Sequence, residues 1–499
     1  MGIVVRQSFK TVVLTYLGAA LGVVNMLWMF PLVLTPEQVG LVTMLITIAG
    51  AFSSFALLGA GQIPNRFFPY FNNTANRHSG FLFFLLILAA IGLSIFTAVY
   101  YLFTKSITAY YMAKSPLLVH YFYLTLPFTG IVAINTIFES YLVVQQRPVV
   151  PNFVREVLVR MSMFCGVVLL FLNVMGFNAY VFLVLGTYAL GLAILILYTR
   201  REQLLFLSPD FTIFQSRYIK SILVYSGFVL MGNISGAIIQ TIDGVMLGAY
   251  RGLDSVGVYK IAFLIASVIE IPKRSLSQVL VPMISAANRQ KDTATLETLY
   301  KKSSISQTII GGLLFLGIWC NVDNIFSLMP NGAIYMQGKW VVFFIGLAKV
   351  FDMATGVNSE IIGTSRHYRM DLVFYVMLGA VGIGANIIFI PMLGVTGAAV
   401  AMAISVFLFN TVRFFFILVK FGIQPFSMNS VKMLLIAAFV LLVNFLLPAH
   451  PHAMIDVIVR SVVVAGLFLG LTLAFRISND VNRVVQKIFL RLRAVFIGR

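Results

Sequence analysis

The stretch "NIIFIPMLGVTGAAVAMAIS", residues 386–405, decides the fold. Apolar residues lead into it from about 369 and continue out of it to about 419, roughly twice the ~20 residues that one membrane crossing takes. Pro391 and Gly394 interrupt the run near its middle. Proline supplies no backbone donor and glycine accepts turn conformations, so the stretch reads as the tight join between two spanning helices.

The same pattern runs along the whole chain. Its 499 residues are 60% hydrophobic and 10% charged, with a mean hydropathy of +0.97. Soluble domains sit near 45–50% apolar and about 25% charged. Between Lys10 and Arg476 no polar stretch exceeds roughly 20 residues, whereas a soluble domain needs about 50. The chain is therefore read as an all-α integral membrane protein. About fourteen apolar runs are expected as spans, near 9–34, 40–63, 80–104, 117–145, 152–173, 177–199, 218–249, 255–283, 303–329, 336–363, 369–391, 395–419, 429–447 and 456–475. The first is too long for a signal-peptide core and lacks a small-residue cleavage site, so no cleavable leader is expected. Cys165 and Cys320 lie in or beside apolar runs and form no ligand-spaced cluster, so they read as small hydrophobes.

The net charge of +19 is distributed as a membrane topology, not as a nucleic-acid footprint. With the N-terminus placed inside, the inside segments hold 25 Lys and Arg, and the outside loops hold 3: Lys105, Lys114 and Arg251. That is the positive-inside bias, and an even span number puts both termini in the cytoplasm. The tail 477–499 places Val481, Val484, Val485, Ile488, Leu492 and Val495 on one face among basic residues. It reads as a basic amphipathic helix on the inner leaflet.

Two halves of the chain echo each other. "LTPEQVGLVTML" at 34–45 matches "RGLDSVGVYKIA" at 251–262, each with an acidic residue three positions before Gly40 or Gly257. "IPNR" at 63–66 recurs as "IPKR" at 271–274, and 145–161 corresponds to 364–377. Duplicated helix bundles are a known transporter design. The expected organisation is an N-terminal six-helix lobe (1–200), a cytoplasmic linker (201–217), a second six-helix lobe (218–420), two extra spans (421–476) and the basic tail (477–499).

The join at 386–405, with its Asn, Pro and Gly turn and the Gly-Ala-Ala that opens the next span, resembles one family. So does "DSVGVYKIA" at 254–262. That family is the polysaccharide (O-antigen type) flippase branch of the multidrug, oligosaccharidyl-lipid and polysaccharide exporter superfamily. The resemblance implies a transporter, not an enzyme. It implies an undecaprenyl-diphosphate-linked oligosaccharide carried across the bacterial cytoplasmic membrane by alternating access. Implied partners are the lipid-linked oligosaccharide, the bilayer, a polysaccharide polymerase and chain-length proteins, with no nucleic acid. No cofactor is implied; a proton gradient, a sodium gradient or the membrane potential is compatible as the driving force.

The residues support that chemistry in their own right. Sugars want hydroxyl and amide partners, a diphosphate wants cations, and a prenyl chain wants lipid. The stretch 266–282, "ASVIEIPKRSLSQVLVP", carries charge inside an apolar run, at ~2.5–3.5 kcal/mol per central charge unless a partner or watery cavity receives it. On an ideal helix Lys260, Ser267, Arg274 and Gln278 share a face, Glu270 lies beside it, and Lys273 points nearly opposite. Arg274 is the leading anion candidate, because guanidinium binds phosphate bidentately, and Glu270 is its i,i+4 partner. Snorkelling at the cytoplasmic end is the competing account of Lys273 and Arg274. Candidate substrate contacts are Arg274, Lys260, Gln278, Lys349, Arg66, Asn233 and Gln240. Candidate coupling or gating carboxylates are Glu139, Asp243, Glu270, Asp352 and Glu360. No catalytic or metal-binding set is expected; His450 and His452 lack a carboxylate or thiol cluster. A cation-coupled multidrug antiporter, a lipid II flippase and, from a different class, a membrane polysaccharide polymerase or ligase are the alternatives. The short outer loops disfavour the last.

Overall fold

Apolar runs of this length satisfy their backbone polar groups internally only as helices. The computed structural model describes residues 2–71, 77–207, 218–448, 450–478 and 482, and helices without strands make up its regular structure. We number the fourteen long helices α1 (2–33), α2 (Pro36–Ala56), α3 (Phe81–Met112), α4 (Pro116–Val144), α5 (149–171), α6 (Phe177–Arg201) and α7 (Ile219–Arg251). The second seven are α8 (Leu253–Gln290), α9 (Thr293–Trp319), α10 (Gly332–Ala354), α11 (Arg369–Leu393), α12 (Val395–Phe421), α13 (Met428–Leu446) and α14 (Ala453–Ala474). Twelve of them are long and apolar enough to cross a membrane. A thirteenth, α9, qualifies together with Val322–Leu328, from which it is bent by 55°. The remaining helix, α5, is less apolar because it holds Arg155, Glu156 and Arg160. The basic tail and residues 208–217 of the linker lie outside the described residues, apart from Ile477, Ser478 and Asn482.

Local chemistry sets the ends. Thr35 and Gln38 form a reciprocal capping box at the start of α2, with Pro36 at its first position. Asp292 caps α9; the Thr295 hydroxyl, 2.6 Å away, and the Thr295 N–H hold its carboxyl below the usual range. Gly394 turns α11 into α12 at φ +59°, and a side chain at Gly397 would meet the Phe389 carbonyl.

The packing divides the chain into two compact units, Met1–Lys260 and Ile261–Arg499. The division falls inside α8, because α7 packs on α2 and the first turns of α8 meet the start of α2. In the first unit Phe81, Leu85, Ile137, Tyr141 and Leu195 are buried together. There the two halves of the sequence echo meet. A Cβ on Gly40 would strike the Leu253 carbonyl, and a Cβ on Gly257 would strike the Pro36 carbonyl. Each motif's glycine thus admits the other motif's backbone. In the second unit Ile269, Ile309, Leu316 and Met353 are buried with Met433, Val440, Val464 and Phe468, which fastens the terminal hairpin α13–α14 to α9.

Candidate functional site

α8 is not one regular helix. It is α-helical over Leu253–Ser267, tightens to a 3-10 turn over Val268–Glu270 and resumes at Ile271 with Pro272 in the new first turn. Pro272 has no N–H to return to the preceding turn, so the regular ladder ends there. Three residues per turn instead of 3.6 shifts the helical phase by roughly 60° over the 3-10 segment.

The two adjacent cations beyond this turn meet different surroundings. Lys273, expected to point away, places Nζ 2.5 Å from Asp352 Oδ2 on α10, and its side chain is 13% exposed. Arg274 is 75% exposed and, among the described residues, reaches Glu270 Oε1 alone, at 3.8 Å. Gln278 is exposed, one turn further along α8. Lys260, half-buried, belongs to the first unit, where a Cβ on Gly244 would lie 3.6 Å from its Nζ. Asp243 beside it is buried and accepts from the Tyr259 hydroxyl at 3.0 Å.

In the second unit two ion pairs link α8 to α10, each spanning 79 residues. Glu270 Oε2 accepts from Lys349, and Lys273 donates to Asp352. The rungs have opposite polarity. Their surroundings differ as well. Asp352 Oδ1 accepts from Asn410 Nδ2 at 3.1 Å, and Asn410 Oδ1 in turn accepts from Asn358 (2.9 Å) and Thr355 (3.1 Å). Glu270 has Lys349 and Arg274 alone among the described residues. Further along the same seam, Ser277 donates to Glu360 at 2.5 Å, and Asn288 donates to Thr364 at 2.7 Å. Lys349, Asp352 and Glu360 are thus gathered on α8, from both sides of the turn at Gly356, φ +66°.

Some partners were not legible in the sequence. Arg413 is buried, donates to Asp371 at 2.5 Å and to Ser359, and lies 4.0 Å from the Phe409 ring centroid. Arg460 binds Asp456 at 2.7 Å and Asn444 at 3.1 Å, tying α14 to the end of α13. In the first unit Glu139 on α4 lies 3.6 Å from Arg155, which also contacts Glu156 at 3.1 Å. Glu156 pairs with Arg160 at 2.5 Å, and Asn25 Nδ2 donates to the Arg160 carbonyl at 2.8 Å. Two π-helical turns, Asn25–Met29 and Phe153–Leu158, carry this cluster; such turns recur at functional sites. The i,i+4 pair Glu156–Arg160 was its sequence signal, inside the expected span 152–173. Arg66 is exposed, its guanidinium 4.8 Å from the Tyr225 ring centroid, a cation–π contact. Asn233 is half-buried on α7 and Gln240 exposed; neither joins the clusters above.

With this geometry in place, known proteins supply a frame. The sequence profile of a family described as "Polysaccharide biosynthesis protein" matches residues 4–288, more than half of the chain. The probable low-salt glycan biosynthesis flippase Agl15 of Haloferax volcanii is 21% identical over 226 residues, 44% of this chain and 47% of that protein. The uncharacterized membrane protein MJ1068 of Methanocaldococcus jannaschii is 22% identical over 295 residues, 56% of each. The chain spans about half the length of these curated relatives. A structure of the lipid II flippase MurJ, in an inward closed conformation, superposes with a TM-score of 0.74 at 14% identity, covering 93% of this chain and 98% of that one. An inward-facing multidrug resistance MATE family transporter of the MOP superfamily gives 0.60 at 15% identity, covering 82% and 94%. At such identities the likeness is one of fold.

Proposed function

The chain belongs to the polysaccharide biosynthesis protein family, and from that premise we propose that it is a flippase for a lipid-linked oligosaccharide. The cargo is an oligosaccharide on an undecaprenyl-diphosphate carrier, moved across the cytoplasmic membrane by alternating access for surface polysaccharide synthesis. One observation carries the reading. Arg274 stands 75% exposed on α8, a helix apolar enough to cross a membrane, with one loose carboxylate contact among the described residues. A guanidinium left to hydrocarbon is costly, whereas one facing a phosphate forms charge-assisted, bidentate hydrogen bonds. Gln278 lies on the same exposed side as a sugar-compatible amide. The glycan-flippase name of one relative supports this reading over a multidrug antiporter.

The experiment is complementation of a deletion strain with variants at matched membrane levels. Arg274→Ala should reduce surface glycan to a small residue and leave lipid-linked oligosaccharide on the inner leaflet. Arg274→Lys should restore part of it, since charge survives while the bidentate geometry is lost. Normal surface glycan with Arg274→Ala would overturn the proposal and leave snorkelling as the account of this side chain.

A further inference from the structure

Resting on that reading, we propose that Lys349 and Arg274 are the two-cation clamp for the diphosphate and that Glu270 is its resident counter-ion, a carboxylate that holds both cations until the phosphates displace it. Glu270 faces each cation with a different oxygen: Oε2 accepts from Lys349, and Oε1 lies 3.8 Å from Arg274, a looser ion pair. One carboxylate thus bridges two cations and leaves the triad with net positive charge. A diphosphate linked at both ends carries one negative charge on each phosphate, so it matches the pair of cations better than a single carboxylate does.

The neighbouring rung shows what a permanent pair looks like here. Asp352 has Lys273 on one oxygen and Asn410 on the other, and Asn410 is itself held by Asn358 and Thr355. Such outer partners close the pair and fix its geometry. Glu270 has no amide or hydroxyl partner among the described residues, and one of its two cations is mostly exposed. It also ends the 3-10 turn ahead of Pro272, where α8 is not stiffened by a regular ladder. Of the two rungs, the Glu270 rung is the one built to exchange. The contact lowers apparent affinity by the fraction of time the clamp is occupied. In return part of the cationic charge remains compensated while the site is empty, which lowers the cost of holding it in an apolar surrounding.

The test is calorimetric titration of inorganic pyrophosphate into the purified full-length protein in lipid nanodiscs. Glu270→Gln should bind pyrophosphate roughly tenfold more tightly than wild type, equivalent to about 1.4 kcal/mol. Glu270→Asp keeps the charge but shortens the reach, so it should show part of the gain; a general field effect would leave it at the wild-type value. Glu360→Gln, which removes a neighbouring charge on the same seam, should show little gain. Glu270→Gln combined with Arg274→Ala should lose the gain. Wild-type binding without a gain in Glu270→Gln, or equal gains in Glu270→Gln and Glu360→Gln with none in Glu270→Asp, would overturn the counter-ion role while leaving the flippase reading intact. Absence of pyrophosphate binding in wild type and every variant would remove both the clamp and the anionic role of Arg274.

Discussion

Lys273 and Arg274 are adjacent cations with opposite surroundings. Lys273 is 13% exposed against Asp352, and Arg274 is 75% exposed. Removing one partner of a part-buried pair strands the other charge, whereas removing both leaves none to desolvate. Asp352→Asn should therefore lower stability by roughly 1–3 kcal/mol, seen as a lower unfolding temperature in detergent. The double variant Lys273→Met with Asp352→Leu should recover much of that loss. Equal stability of Asp352→Asn and wild type would contradict a structural role for this rung. The contrast between the two cations was not legible in the sequence, because a helical projection gives a side chain's direction but not the partner it meets, here Asp352 some 79 residues away. Arg413 and Arg460 were recognisable as cations inside apolar runs, but their partners Asp371 and Asp456 lie 42 and 4 residues away, and only the second is a spacing that a helix makes readable.

Helices and their joins were far more legible than side-chain partners. Most apolar runs between polar breaks became one helix, since length and apolarity favour it, while 303–329 and 336–363 were each divided in two. The tight join at Gly394 falls at one expected break. Charge sets α5 apart: it was expected as the span 152–173, but the neighbours of Arg155 and Arg160, Glu139 and Asn25, were not readable. The echo between 34–45 and 251–262 acquires a physical reason in the reciprocal fit of Gly40 and Gly257. At either position a methyl group would meet a backbone carbonyl, which cannot rotate away as a side chain does. Gly40→Ala and Gly257→Ala should each cost about 1–3 kcal/mol, the range for overpacking a close contact. Gly50→Ala, on the same helix as Gly40 with no atom within 4 Å of its added Cβ, should cost nothing and should gain slightly from helix propensity. Unfolding temperatures of the three variants provide the comparison; a Gly40→Ala protein as stable as Gly50→Ala would show that α2 and α8 do not need this close approach.

For the molecule as a whole, the question is which way round it sits. The 25-to-3 bias of Lys and Arg predicts a cytoplasmic N-terminus, and it makes the turn between α3 and α4 external and the turn between α8 and α9 internal. The length of α3 sharpens the test. Its 32 residues reach about 48 Å at ~1.5 Å per residue, well beyond a hydrocarbon core of about 30 Å. One end must project, and the exposed Tyr110 lies in its last turn. Gln290 is exposed at the end of α8, beside Lys291 and the Asp292 cap. Native Cys165 is exposed and Cys320 buried, so a background with Cys165 replaced is required. In that background a membrane-impermeant maleimide should label Tyr110→Cys in intact cells and Gln290→Cys only after permeabilisation. The bias arises because basic segments are retained on the cytoplasmic side during insertion, so moving it should move the labels. Adding lysines to the loop between α3 and α4 should reduce labelling at position 110. Labelling of Gln290→Cys but not Tyr110→Cys in intact cells would invert the orientation, and with it the leaflet from which a lipid-linked cargo is first taken up.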